Sequence, residues 1–179
     1  MITREYLVLL AAYNQWMNAS LYEAAGKLTA QALAADRKAF FGSIIGTLNH
    51  IAVADTLWLQ RFAKHPSHHA VLDAIRELPT PLSLDTILFE DLGELADYRK
   101  MLDEVIKQWA AALSEEDLQH VLHYKNMKGV AAQKRIGSLA VHFFNHQTHH
   151  RGQATTLMSQ AGLDLGVTDL LALIPNEIE

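Results

Sequence analysis

The chain has 179 residues, a formal net charge of -5 and no cysteine; that length favours one domain, read here as 1–179, with a full hydrophobic core. Without cysteine there are no disulfides, thiolate metal sites or cysteine nucleophiles, and without a basic tract there is no electrostatic case for nucleic-acid binding. Half of the residues are hydrophobic, yet no apolar run approaches a membrane span and the opening Met1-Ile2-Thr3-Arg4-Glu5 lacks a signal-peptide layout, so a cytoplasmic globular protein with no membrane partner is expected.

Four long segments carry helical periodicity. The first runs from Thr3, a suitable N-cap, to Leu28, with Tyr6, Leu10, Tyr13, Met17, Leu21 and Ala24 on one line. The second runs from Ser43 to Ala63 and is apolar nearly all round, which predicts a central helix; Pro66 follows its end. The third spans Phe89 to Leu113, after which Ser114 reads as the cap of a short turn with Glu115, Glu116 and Asp117 at its positive end. The fourth spans Ile136 to Ala161, with Gly162 as its C′ residue. Two connections are long. Residues 64–88 hold three of the four prolines, with room for a short helix over Ala70–Leu78. Residues 118–134 read as a hairpin or an extended crossover. The pattern predicts an all-α protein, a four-helix bundle with long crossover connections.

Ten histidines stand out, and they cluster. On a helix advancing about 100° per residue, His146 and His150 fall inside the apolar arc of Ile136, Leu139, Phe143, Ala154, Leu157 and Ala161. His142 and His149 fall about 40–60° outside it. An (i, i+4) pair of imidazoles in place of Leu suits a divalent metal. The plainer reading is two core histidines bonded to polar neighbours, although burying two on one stripe doubles the cost unless something binds both. His142, His146 and His150 cannot serve together, because (i, i+8) spans about 12 Å. A third ligand must come from elsewhere, and His50, His65, His68, His69, His120 and His123 are the candidates. Of these, only His50 sits in a long helix. His65, His68 and His69 read as a solvated loop, and His120 and His123 as part of a mixed connection.

Asp55 falls on the apolar face of the second helix, where a carboxylate needs a partner. Arg99 or Arg151 could supply a structural bridge; orienting a histidine is the other reading. Gly152 in mid-helix costs about 1 kcal/mol against Ala, which close packing or room beside a ligand would explain. Trp58 and Trp109 read as core. The His-Glu-x-x-His, Gly-x-Ser-x-Gly, P-loop, Rossmann and paired Glu-x-x-His motifs are all missing.

The run His146-Gln147-Thr148-His149-His150-Arg151-Gly152-Gln153 resembles the His-x-x-x-His-Arg-Gly-Gln pattern of the DinB-like (damage-inducible) family of metal-binding four-helix bundles. Leu48-Asn49-His50-Ile51-Ala52-Val53-Ala54-Asp55-Thr56-Leu57-Trp58 is similar to that family's second-helix signature, and the segment from Gly162 to Leu171 resembles its closing segment. The resemblance spans nearly the whole chain. It implies His50, His146 and His150 as ligands of one divalent ion (zinc, nickel or manganese), with coordination positions left open, and it implies a homodimer. It does not imply DNA binding.

Three neutral histidines with open coordination make a Lewis-acid centre. Members similar to this chain include enzymes that transfer low-molecular-weight thiols or isomerise with their help. The expected function is therefore a metal-dependent enzyme, a thiol S-transferase or a hydrolase, acting on a small-molecule substrate that includes a thiol in the first case. No general base is singled out; His142, His149 and Asp55 are the candidates. The rival readings are a non-enzymatic metal-binding stress-response module and a dimeric bundle with structural histidines.

Overall fold

The structure, a computed structural model, describes residues 2–177. Met1, Ile178 and Glu179, part of the span read as one domain, lie outside the described residues. Four long helices dominate: α1 (Arg4–Ala25), α3 (Ile44–Phe62), α5 (Leu92–Ala112) and α7 (Ile136–Gln160). Short elements fill the connections: α2 (Ala30–Ala34), α4 (Asp73–Arg76), α6 (Glu115–Gln119) and a hairpin of β1 (Val121–Lys125) and β2 (Ala131–Arg135).

Local chemistry sets the ends. Thr3 accepts a hydrogen bond from the Tyr6 amide, Ser43 from that of Gly46 and Asp91 from that of Glu94. These contacts satisfy amides that the first turn of a helix leaves free. The third long helix therefore starts at Asp91 rather than Phe89, whose backbone is bound elsewhere. Ser114 and Asp117 form a reciprocal capping box that starts α6. Gly162, at φ 84°, ends α7, and the Leu163 amide turns back to the Met158 carbonyl at 3.0 Å. Of the two readings of residues 118–134, the hairpin is the one formed: Val121 pairs with Arg135 and Lys125 with Ala131, antiparallel. The helix expected over Ala70–Leu78 shrinks to a 3-10 turn followed by α4.

Both α1 and α3 pack against α5 and α7, which sets α1 diagonal to α3. Contacts along the chain give the directions. Asn49 meets Phe89, Asp55 meets Arg99 and Phe62 stacks on Trp109, so α3 and α5 are parallel neighbours. His50 meets His150, whereas Phe62 meets Phe143, so α3 and α7 are antiparallel. Parallel neighbours cannot be joined by a short turn. The chain must return along the bundle, and residues 63–91 do so.

The core is built on Trp109, Phe62 and Phe143 with Leu7, Leu21, Leu48 and Leu102, all fully buried. All but two residues of α3, Gln60 and Arg61, are buried, as its all-round apolarity predicts. No helix among the described residues is long and apolar enough to cross a membrane.

Candidate metal centre

His50 lies two turns into α3, and His146 and His150 lie one turn apart on α7. The antiparallel packing of these helices brings the three rings together. The centroids are 4.3 Å apart for His50–His150, 4.3 Å for His146–His150 and 5.3 Å for His50–His146. One donor nitrogen from each ring falls within 4.8 Å of the others. His50 is buried, whereas His146 and His150 are half-buried. The α7 pair therefore flanks the buried stripe rather than sitting in it. That stripe contains Gln147 and Arg151, which the apolar line of the sequence leaves out.

Second contacts orient two of the rings. The His50 Nδ1–H donates to the Leu84 carbonyl at 2.7 Å, and the His150 Nδ1–H donates to Gln153 Oε1 at 2.8 Å. The Gln153 amide nitrogen in turn reaches His149 Nε2 at 3.3 Å, which fixes which end of Gln153 faces His150. With both Nδ1 protons engaged, the two Nε2 atoms that face each other at 3.2 Å carry lone pairs. Two lone pairs aimed at one point repel unless a cation lies between them. This arrangement, with His50 and His150 each held through Nδ1 by an oxygen and Nε2 left free, fits a divalent ion.

Electrostatics favour the same protonation state. Burial holds His146 down at about 3 and His50 at about 4, and also lowers His150. Neighbouring imidazoles add to the effect at all three. Neutral imidazole is the form that binds metal.

Phe41 closes one side, stacked on His50 at 3.7 Å with an interplanar angle of 16°, and edge-on to His150 at 5.5 Å. Gly46 makes this possible, because a Cβ there would collide with the Phe41 carbonyl oxygen. Asn49 fastens the return segment one residue before His50. Its oxygen accepts from the Leu88 and Phe89 amides at 2.7 and 3.1 Å, and its nitrogen donates to the Phe89 carbonyl at 2.9 Å. The sequence alone gave no role to Phe41, Gly46, Asn49, Leu84 or Gln153. Gln153, one turn after His150, is the one that helical spacing could have flagged.

The remaining histidines separate. His142 is exposed, edge-on to Trp58 at 5.2 Å and 6.0 Å from His146. His149 and His68 are exposed, as is His123 on β1. His65 and His69, expected in a solvated loop, instead have side chains only 6% and 8% exposed, because the return segment folds them against α6. Asp55 takes the bridge reading. It is buried and paired with Arg99, which also reaches Asp103 at 3.1 Å. Arg151 bonds Asn14, which donates to Asp103. Gly152 has open space where a Cβ would stand, so neither packing nor a neighbouring group explains it.

The fold and site define a helical bundle with a three-histidine centre. The family model described as "DinB family" matches residues 1–178, and the chain belongs to that family. It is 24% identical over 166 residues to Protein DinB of Bacillus subtilis (strain 168), covering 92% of this chain and 91% of that protein. Its fold is similar to the crystal structure of a DinB-like protein from Bacillus cereus ATCC 10987. The TM-score is 0.59 at 21% identity, covering 84% of this chain and 89% of that one.

Proposed function

We propose that the chain is a metal-dependent enzyme in which His50, His146 and His150 hold one divalent ion, zinc, nickel or manganese. Its reaction is thiol S-transfer or hydrolysis on a small-molecule substrate, with a low-molecular-weight thiol as partner in the first case. The observation that carries this reading is the pair of facing Nε2 lone pairs at 3.2 Å, each backed by an occupied Nδ1. Three protein donors leave a coordination position free, the pattern of catalytic rather than structural zinc. A bound ion would supply Lewis acidity, lowering the pKa of a water or thiol that reaches it.

The chain's own residues do the rest. Phe41 shields His50 and fixes its ring plane. The Leu84 carbonyl and Gln153 set the tautomers. His142 and His149, exposed beside the triad, are placed to pass a proton to solvent. The proposal includes a homodimer in the cytoplasm, which sedimentation and cell fractionation would check.

Elemental analysis of tag-free protein tests the centre. The wild type should carry one more metal per chain than His150→Ala, with helicity preserved. Equal metal contents would sink the assignment. A screen of thiols with electrophiles, and of esters and amides, then tests the enzyme. Turnover absent from the metal-loaded wild type would favour the non-enzymatic metal-binding module.

A further inference from the structure

At the far end of α3 a second group of metal-binding side chains comes together. His65 and His69 lie just beyond that helix, on the first stretch of the return segment, and Asp117 lies in α6. One donor atom from each falls within 4.8 Å of the others. By helical rise the group stands about 20 Å from the first centre, so no residue serves both. His65 Nδ1 is 3.7 Å from Asp117 Oδ1, and His69 Nε2 is 3.7 Å from Asp117 Oδ2.

Those distances are too long for hydrogen bonds. The His69–Asp117 distance is within a few tenths of an ångström of the roughly 3.3 Å between two donors on one tetrahedral zinc. The other contacts of the group are few. Asp117 Oδ1 accepts from the Ser67 hydroxyl at 2.7 Å, and Oδ2 accepts from the Ser114 amide and hydroxyl, each at 2.8 Å. His65 Nδ1 accepts from the Ser67 amide at 3.1 Å. Among the described residues nothing satisfies His69 Nε2 or His65 Nε2, although both side chains are more than nine-tenths buried. His69 Nε2, unpartnered and aimed at an Asp117 oxygen it does not reach, marks a gap for a cation, and His65, whose Nδ1 lone pair accepts from Ser67, has Nε2 as its free donor.

The turn that makes the group is unusual. His68, between the two ligating residues, has φ 43°, and its amide donates to the His65 carbonyl at 3.1 Å. His120 lines a crevice of about 490 Å³ together with His65 and Asp117, its ring centroid 4.5 Å from that of His65.

We propose that His65, His69 and Asp117 form a second divalent-cation site, of nitrogen and carboxylate donors suited to zinc, which staples the start of the return segment to α6. Its role is structural. The site closes a long excursion of the chain where the polypeptide leaves the bundle core, and it is independent of the three-histidine centre.

Zinc titration of tag-free, metal-stripped protein against a chromophoric competitor tests it. Wild type should take up two zinc ions per chain, His146→Ala one, His69→Ala one and the double variant none. Zinc should also raise the Tm of His146→Ala but not that of the double variant. His69→Gln provides a second variant if the alanine form misfolds, with circular dichroism as the check. If substitution at His69 leaves zinc content unchanged in both backgrounds, the proposal is overturned. If His146→Ala retains all the zinc of the wild type while His69→Ala loses its zinc, the second site stands and the first fails.

Discussion

At His150 the proton on Nδ1 has one partner, Gln153 Oε1 at 2.8 Å, and that contact decides which ring nitrogen is free. Gln153→Leu removes the acceptor and leaves the ring free to rotate. The expected outcome is a drop in metal affinity of about 10–100-fold, read by competition with a chelating dye; an unchanged affinity would show that the contact is incidental. Protonation gives a second handle. Burial holds metal-free His146 down at about 3 and His50 at about 4, well below the ordinary imidazole range near 6.5. The unfolded chain therefore binds more protons between those limits, and native stability falls as the pH drops below about 6.5, levelling once the folded groups protonate. Urea unfolding of chelator-treated protein should show this loss between about pH 7 and about pH 5, and His146→Ala should flatten it.

Between elements, the largest polar commitment is Arg99, buried between Asp55 of α3 and Asp103 of its own helix. Burial raises both carboxylates, Asp103 to about 6, and the Arg99 guanidinium is the largest influence that offsets it, with Arg151 and, at Asp103, the Asn18 amide adding to it. Arg99→Leu would strand two buried carboxylates and should cost about 3–5 kcal/mol in denaturant unfolding at neutral pH. A cost below about 1 kcal/mol would mean that the network relaxes or takes in water. The pair was half legible in the sequence. A carboxylate on an apolar face demands a cation, but Arg99 and Arg151 could not be told apart until the helices were placed. On α7, Gly152 is exposed and unhindered. Gly152→Ala should therefore stabilise the fold by about 1 kcal/mol with the metal content intact; loss of metal would reveal a need for space beside His150.

Over the whole molecule, the parallel pairing of α3 and α5 forces residues 63–91 to travel the length of the bundle. The same segment supplies the Leu84 carbonyl to His50 and carries His65 and His69. A metal held at the three-histidine centre, supplied at about 100 times its dissociation constant, would add about 2.7 kcal/mol to native stability. For a chain of this size each kcal/mol moves Tm by about 2–4 °C. Stripping the metal should lower Tm by about 5–10 °C, and scanning calorimetry with and without chelator would show it. No shift would mean that no bound metal stabilises the fold.

The sequence by itself determined the four long helices to within a few residues, the cap of the first at Thr3, the cap of the short helix after the third at Ser114, and the centrality of the second helix. Each follows from periodicity and local hydrogen bonding, which a linear chain displays. It also placed His146 and His150 on one helix face, since spacing along a helix is fixed. On residues alone it left the third ligand open among six histidines, and only family resemblance pointed to His50. The tertiary structure decided what depends on partners distant in sequence. It turned α3 antiparallel to α7 so that His50 meets His150, 100 residues away. It made Phe41 and Leu84 part of the centre, and it folded His65 and His69 out of solvent against Asp117. A side chain's burial and its partners are properties of packing, and no local pattern encodes which surface a return segment of the chain will cover.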